Sequence, residues 1–152
     1  MSKNSNHEHY MSCALDEAKK ALFIDEVPIG AIIVRENKII GRGFNSVIRD
    51  STVLAHAELN AIADASKNIQ NYRLTNCDMY VTVEPCYMCC MAIIHARISS
   101  VYFDTQQPKT GAVISNDKFF ENSSHNHKVN HMHLNKIPET AKILKDFFKD
   151  RR

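Results

Sequence analysis

The chain has 152 residues, 44% hydrophobic and 24% charged, ordinary proportions for a globular protein large enough to bury its own core. Nineteen basic and 17 acidic side chains leave a formal net charge of +2, which excludes binding of nucleic acid by bulk charge and leaves only local clustering to supply it. No apolar run approaches a membrane span, residues 1–10 are too polar for a signal peptide, and an odd count of five cysteines argues for metal or buried thiols over a disulfide framework; the expected compartment is the cytoplasm.

Taken in order, the first predicted element is an amphipathic helix over Glu8 to Ile24, with Met11, Ala14, Leu15, Ala18, Ala21 and Leu22 at helical spacing. His7 and His9 ahead of it belong to an expected mobile N-terminus. Pro28 and Gly30 end the helical pattern, and Gly30 to Arg35 and Lys38 to Phe44 read as a hairpin around Glu36-Asn37. A polar loop over Asn45 to Leu54 precedes a helix from Ala55 to Lys67. A strand over Asp78 to Val83 runs straight into Glu84-Pro85-Cys86, followed by a helix from Cys86 to Ala96 that is apolar nearly all round and so expected to be buried. Ser100 to Asp104 form another strand. Thr105 to Ser124 are irregular, with Lys109-Thr110-Gly111 either a functional loop or a simple turn. Lys128 to Leu134 suit a last strand and Ile137 to Lys149 a terminal amphipathic helix. Strands alternating with helices predict one domain, residues 1–152, built on a mixed sheet with helices on both faces.

Two short pieces carry chemistry. His56-Ala57-Glu58 and Pro85-Cys86-Tyr87-Met88-Cys89 together supply an imidazole, two thiols and a carboxylate, each piece opening a predicted helix. That is the ligand set of a zinc ion with one position left for water, plus an acid to move protons, and H-x-E…P-C-x-x-C is the recognised signature of zinc-dependent base deaminases. Pro85 suits a first helical turn, where its missing N–H costs nothing. Cys86 and Cys89, three apart, share a helical face, and a helix N-terminus favours their thiolate forms. Two thiolates and a neutral imidazole cancel the charge of Zn²⁺, so such a centre acidifies water less than an all-His site and needs a base; Glu58 is the candidate. A purely structural zinc site would need a fourth ligand and would have no use for that acid. Cys90 points about 100° further round its helix and is expected to be a small core residue, as are Cys13 and Cys77. His125, His127, His131 and His133 are read as loop residues rather than a second metal site, and His95 as packing or hydrogen-bonding near a helix end.

The chain also resembles the bacterial tRNA-specific adenosine deaminase family well beyond the zinc signature. The likeness runs through Glu26-Val27-Pro28-Ile29-Gly30-Ala31, Gly43-Phe44-Asn45, Ala55-His56-Ala57-Glu58, Asn71-Tyr72-Arg73-Leu74, Tyr80 to Cys86, Ile94-His95-Ala96-Arg97-Ile98, Lys109-Thr110-Gly111-Ala112, Asn126-His127-Lys128-Val129 and Phe147-Phe148. It implies a three-layer α/β/α cytidine deaminase-like fold with a central mixed sheet of about five strands, a homodimer, one Zn²⁺ per subunit, and conversion of the wobble adenosine of a tRNA anticodon to inosine. Carried over by position, His56, Cys86 and Cys89 bind zinc and Glu58 shuttles protons from zinc-bound water to the base and the departing ammonia. Asn45 contacts the target nucleoside, Val27 and Phe148 line the base pocket, Asn126 and His127 meet the anticodon loop, and Arg151 and Arg152 match the basic C-terminal end. The residues alone allow blander readings, in which Asn45 caps a turn and the local +3 charge from Lys142 to Arg152 is a solvated helix face.

Two stretches depart from the family pattern. Thr52-Val53-Leu54 stand where relatives carry Asp-Pro-Thr, and Gln106-Gln107-Pro108 stand where an acidic residue is usual; an amide accepts from a ribose hydroxyl less strongly than a carboxylate does. The alternatives weighed are a deaminase of free guanine, cytosine or nucleosides, which would not need Asn126-His127-Lys128 or the basic terminal helix, and a catalytically silent RNA-binding or zinc-stabilised scaffold, which would tolerate loss of Glu58.

Overall fold

Five strands in the order β2-β1-β3-β4-β5 form the central layer of the computed structural model, which describes residues 3–151. They are β1 (Gly30–Arg35), β2 (Lys38–Phe44), β3 (Asp78–Val83), β4 (Ser100–Thr105) and β5 (Asn130–His133). β1 is antiparallel to both β2 and β3, whereas β3 to β4 and β4 to β5 are parallel pairings. The hairpin closes over Glu36 and Asn37, whose φ angles of 50° and 63° give the left-handed pair that matches strand twist.

The helices are α1 (Lys3–Phe23), the short α2 (Val47–Asp50), α3 (Ala57–Ile69), α4 (Tyr87–His95) and α5 (Pro138–Lys149), with a 3₁₀ turn at Phe119–Glu121. Alternate strand residues face opposite layers. Ala31, Ile33, Met79, Val81, Val101 and Phe103 are buried on the side of α3 and α4. Ile32, Val34 and Tyr80 are buried on the other side, beneath Met11 and Ala14 of α1, with Ile137 at the start of α5 packed against the same cluster. The expected three layers around a mixed sheet are therefore present.

Gly43 explains how α3 reaches the sheet. A Cβ there would lie 2.4 Å from the Ala57 carbonyl oxygen and 2.4 Å from the Ala61 nitrogen, so only glycine lets the first turn of α3 rest on β2.

Several expectations need correction. α1 starts at Lys3 rather than Glu8, so His7 and His9 are helical; His7 Nδ1 lies 2.6 Å from the Tyr80 hydroxyl, and its ring packs 4.4 Å from that of Tyr102. The polar loop holds α2, whose N–H groups at Ile48 and Arg49 donate to the buried carboxylate of Glu26 at 3.1 and 2.8 Å. α3 and α4 begin one residue after His56 and Cys86, which are their N-caps, and Pro85 precedes the cap instead of filling the first turn. α4 is not buried all round: Tyr87 is 41% and Met91 37% exposed, and His95 is exposed as well. Cys90 and Cys77 are fully buried and Cys13 half-buried.

Candidate active site

Two helix starts face each other at the C-terminal end of β3. His56 caps α3 with extended backbone (φ −75°, ψ 151°), and Cys86 caps α4 in the same way (φ −80°, ψ 177°). Cys89 follows one turn inside α4. His56 Nδ1 lies 3.8 Å from Cys86 Sγ and 3.5 Å from Cys89 Sγ, and the three donor atoms fall within 4.8 Å of one another. Bonds of about 2.1 Å to nitrogen and 2.3 Å to sulfur at a tetrahedral angle put their ends about 3.6 Å apart, so the donor set fits a zinc ion as it stands. Three ligands from the chain leave a fourth position for water or substrate.

Glu58, the second residue of α3, is 4% exposed beside this cluster. Burial pushes its carboxyl up to about 7, reinforced by the Cys86 thiolate and only partly offset by its backbone hydrogen bond, His56 and the Cys89 thiol. Cys86 moves the other way: hydrogen bonding from Cys89, opposed by burial and aided by His56, holds it down to about 4. Cys89 is raised because its S–H is engaged with Cys86 and because it is buried. His56 is raised through its hydrogen bond to Cys86. In the protein chain alone, one sulfur is thus already ionised and the other holds its proton until a cation displaces it.

The family model for the cytidine and deoxycytidylate deaminase zinc-binding region matches residues 4–105. Over 150 residues, covering 99% of both chains, the sequence is 43% identical to a tRNA-specific adenosine deaminase of Buchnera aphidicola subsp. Schizaphis graminum; a second such enzyme, from Haemophilus influenzae, is 42% identical over 95% of this chain and 84% of its own. A structure solved in studies of A-to-I editing by tRNA:A34 deaminases at the wobble position of transfer RNA superposes with a TM-score of 0.86 and 41% identity, covering 90% of this chain and 99% of that one. The chain belongs to the tRNA-specific adenosine deaminase family.

The residues that family resemblance assigns to substrate are held in different ways. Asn45 is buried, and its Oδ1 accepts the Ala57 N–H at 2.7 Å, one residue after His56. Val27 is half-buried in the turn before β1, where its carbonyl accepts the Ile29 N–H. Asn126 and His127 hang from the segment after α4: Arg97 donates to Asn126 Oδ1 at 2.9 Å, and His127 Nε2 lies 2.8 Å from the Ile98 carbonyl. His127 also borders an open cavity of about 590 Å³, with Phe120, His125 and His131 among its walls. Phe148 is 44% exposed near the end of α5. Arg151 lies 3.5 Å over the Phe147 ring and pairs with Asp25, next to Glu26-Val27; Arg152 lies outside the described residues.

In this adenosine deaminase chain, sequence reasoning missed Glu84 as more than part of a matching stretch. It is 4% exposed at the end of β3 and accepts the N–H groups of Gln107, Val113, Ile114 and Ser115 at 2.8–3.1 Å, plus the Ser115 hydroxyl at 2.5 Å. Burial opposes its charge, but the Ser115 hydroxyl and these N–H groups hold the carboxyl below the usual range. The one signal in the sequence is an acid directly following a run of strand residues.

Proposed function

We propose that the chain, acting as one deaminase domain over residues 1–152, hydrolyses adenosine to inosine at the wobble position of a tRNA anticodon. The carrying observation is the meeting of His56, Cys86 and Cys89 at two helix starts beside the buried carboxyl of Glu58. His56 Nδ1 and the two sulfurs hold zinc; when bound, the ion supplies the Lewis acidity that makes water a nucleophile near neutral pH.

The remaining work falls to the chain. In the net reaction a C6–O bond forms, the C6–N bond breaks, and water and adenosine become inosine and ammonia. Glu58, buried beside the ligands, takes a proton from the attacking water and delivers it to the ring nitrogen next to C6, then takes the proton of the new C6 hydroxyl and gives it to the leaving amine. Asn45 orients the nucleoside from its post on the α3 N-terminus, while Val27 and Phe148 form apolar walls. Asn126 and His127 meet bases of the anticodon loop, and Arg151 and Arg152 meet phosphates. The identity to enzymes of this name over nearly the whole chain supports RNA over free guanine, cytosine or nucleosides as substrate.

The active form is a homodimer in the cytoplasm. The support is the exposure of large apolar side chains on the segments that carry the metal ligands: Tyr87 and Met91 on α4, and Ile48, Val53 and Leu54 before His56, the last three 76%, 73% and 58% exposed. Among the described residues, no helix is long and apolar enough to cross a membrane.

The test is to incubate zinc-loaded protein with a tRNA pool and sequence the inosines. Inosine confined to position 34 is expected, with little ammonia from free guanine, cytosine or adenosine. Turnover of a free base with unmodified tRNA would overturn the reading.

A further inference from the structure

Between β4 and β5 the chain makes a loop over residues 106–116 that sends Ala112 and Val113 into the core and is wrapped around one carboxylate. Glu84 takes four of its backbone N–H groups and one hydroxyl. Gly111 passes so close that a Cβ there would sit 2.3 Å from Glu84 Cδ. Asn116 Nδ2 closes the loop's other side, donating to the carbonyls of Pro108 and Gly111 at 2.9 Å each. The loop is also bolted to the metal turn, for the Ala112 N–H donates to the Pro85 carbonyl at 2.9 Å, one residue before Cys86. Its outer arc, Gln106, Pro108, Lys109 and Thr110, is exposed. A cation and a hydroxyl are thereby held at the rim of the turn that carries two of the three metal-binding side chains.

We infer that Glu84 is a positioning residue for RNA: it moulds residues 107–115 into a clasp on the Cys86 turn and keeps Lys109 and Thr110 where the substrate backbone passes. This rests on the proposed RNA substrate. A buried carboxylate that accepts five hydrogen bonds from one loop fixes its path more firmly than neutral side chains would, because each bond is charge-assisted. Glutamine at the same place would turn an NH₂ group against backbone donors, so the outer arc would lose its fixed position while His56, Glu58 and Cys89 stay where they are.

The test compares zinc-loaded wild type, Glu84→Gln, Gly111→Ala and a buried control, Val101→Ala, on an anticodon stem-loop, reading zinc content, melting temperature, KM, kcat and stem-loop Kd. The inference expects KM and Kd to rise about tenfold in both Glu84→Gln and Gly111→Ala, the worth of one displaced charge-assisted bond, with zinc content and kcat nearly kept. Val101→Ala should lower the melting temperature without moving KM. A fall in zinc content and kcat with KM unchanged would overturn it, confining Glu84 to support of the metal turn. So would a KM rise in Val101→Ala equal to that of the other two. If wild type binds the stem-loop without turnover, the activity fails on its own and the Kd series still decides the clasp; if wild type does not bind RNA, both fall.

Discussion

Asn45 Oδ1 accepts the Ala57 N–H at 2.7 Å, so the first free donor of α3 is satisfied by a side chain from the end of β2. His56 itself makes no side-chain cap, since its ring is turned to the two sulfurs. Asn45 therefore does the capping that frees His56 to be a ligand. Asn45→Ala is expected to lose about 1–3 kcal/mol of unfolding free energy, the cost of a buried N–H without a partner, and to weaken zinc retention. Denaturant unfolding and metal content after dialysis against a chelator check both. Unchanged zinc retention with full stability would leave Asn45 as a nucleoside contact alone.

Glu58→Gln should keep zinc and fold while turnover falls by at least about 10²-fold, the usual scale of a lost acid–base group. The same substitution has a signature in metal-free protein. The Glu58 carboxyl is raised on folding from its ordinary 4.5 to about 7, so its contribution to stability is full below pH 4.5 and is lost as pH rises through about 7. Glutamine has no such loss. Chemical unfolding at several pH values should find Glu58→Gln gaining on wild type between pH 5 and 7.5, by roughly 3 kcal/mol at the upper end. A constant gap across that range would contradict the buried-acid assignment.

Zinc loading should expel protons. Cys86 is ionised near neutrality, whereas Cys89 keeps its proton because of its bond to Cys86 and its burial. Calorimetric titration of the stripped protein at pH 7.5, in buffers of different ionisation heat, is expected to report the release of about one proton per zinc or more. No release would mean that both thiols are ionised beforehand.

Gln107 lies in the stretch where the family resemblance implies an acid, and its backbone N–H remains committed to Glu84 whatever its side chain. Gln107→Asp should leave the loop in place and tighten discrimination among stem-loops that differ at the nucleotides flanking the target, since a carboxylate accepts more strongly from a ribose hydroxyl. Equal rates and equal preference in the two proteins would remove Gln107 from recognition.

The metal cluster was legible because its spacing and residue types leave few other uses: Cys86, Cys89 and His56 meet as their motifs imply. The strands were equally plain, since the short β-branched runs of Gly30–Arg35 and Asp78–Val83, bounded by turn residues, suit a sheet buried on both faces. Capping was less visible. Whether Cys86 opens α4 or caps it depends on one ψ angle that no periodicity encodes. Glu84 was hidden for a deeper reason, as its partners are backbone N–H groups 23 to 31 residues away, and a backbone donor looks the same in every sequence. The helical start at Lys3 escaped because those residues have no apolar rhythm; His7 is held by Tyr80 and Tyr102, contacts made only once the sheet exists.

The pairing of Arg151 with Asp25 bears on how tightly RNA is held as ionic strength changes. Lys142 is matched with Asp146 on the same helix, so two of the cations that give the C-terminal segment its surplus already have carboxylate neighbours. A phosphate that recruits Arg151 must first pull it from Asp25, and the displaced acid then repels the strand. Fewer counterions would leave the nucleic acid on docking than a tally of Lys and Arg implies, and complexes should survive moderate salt better than that tally suggests.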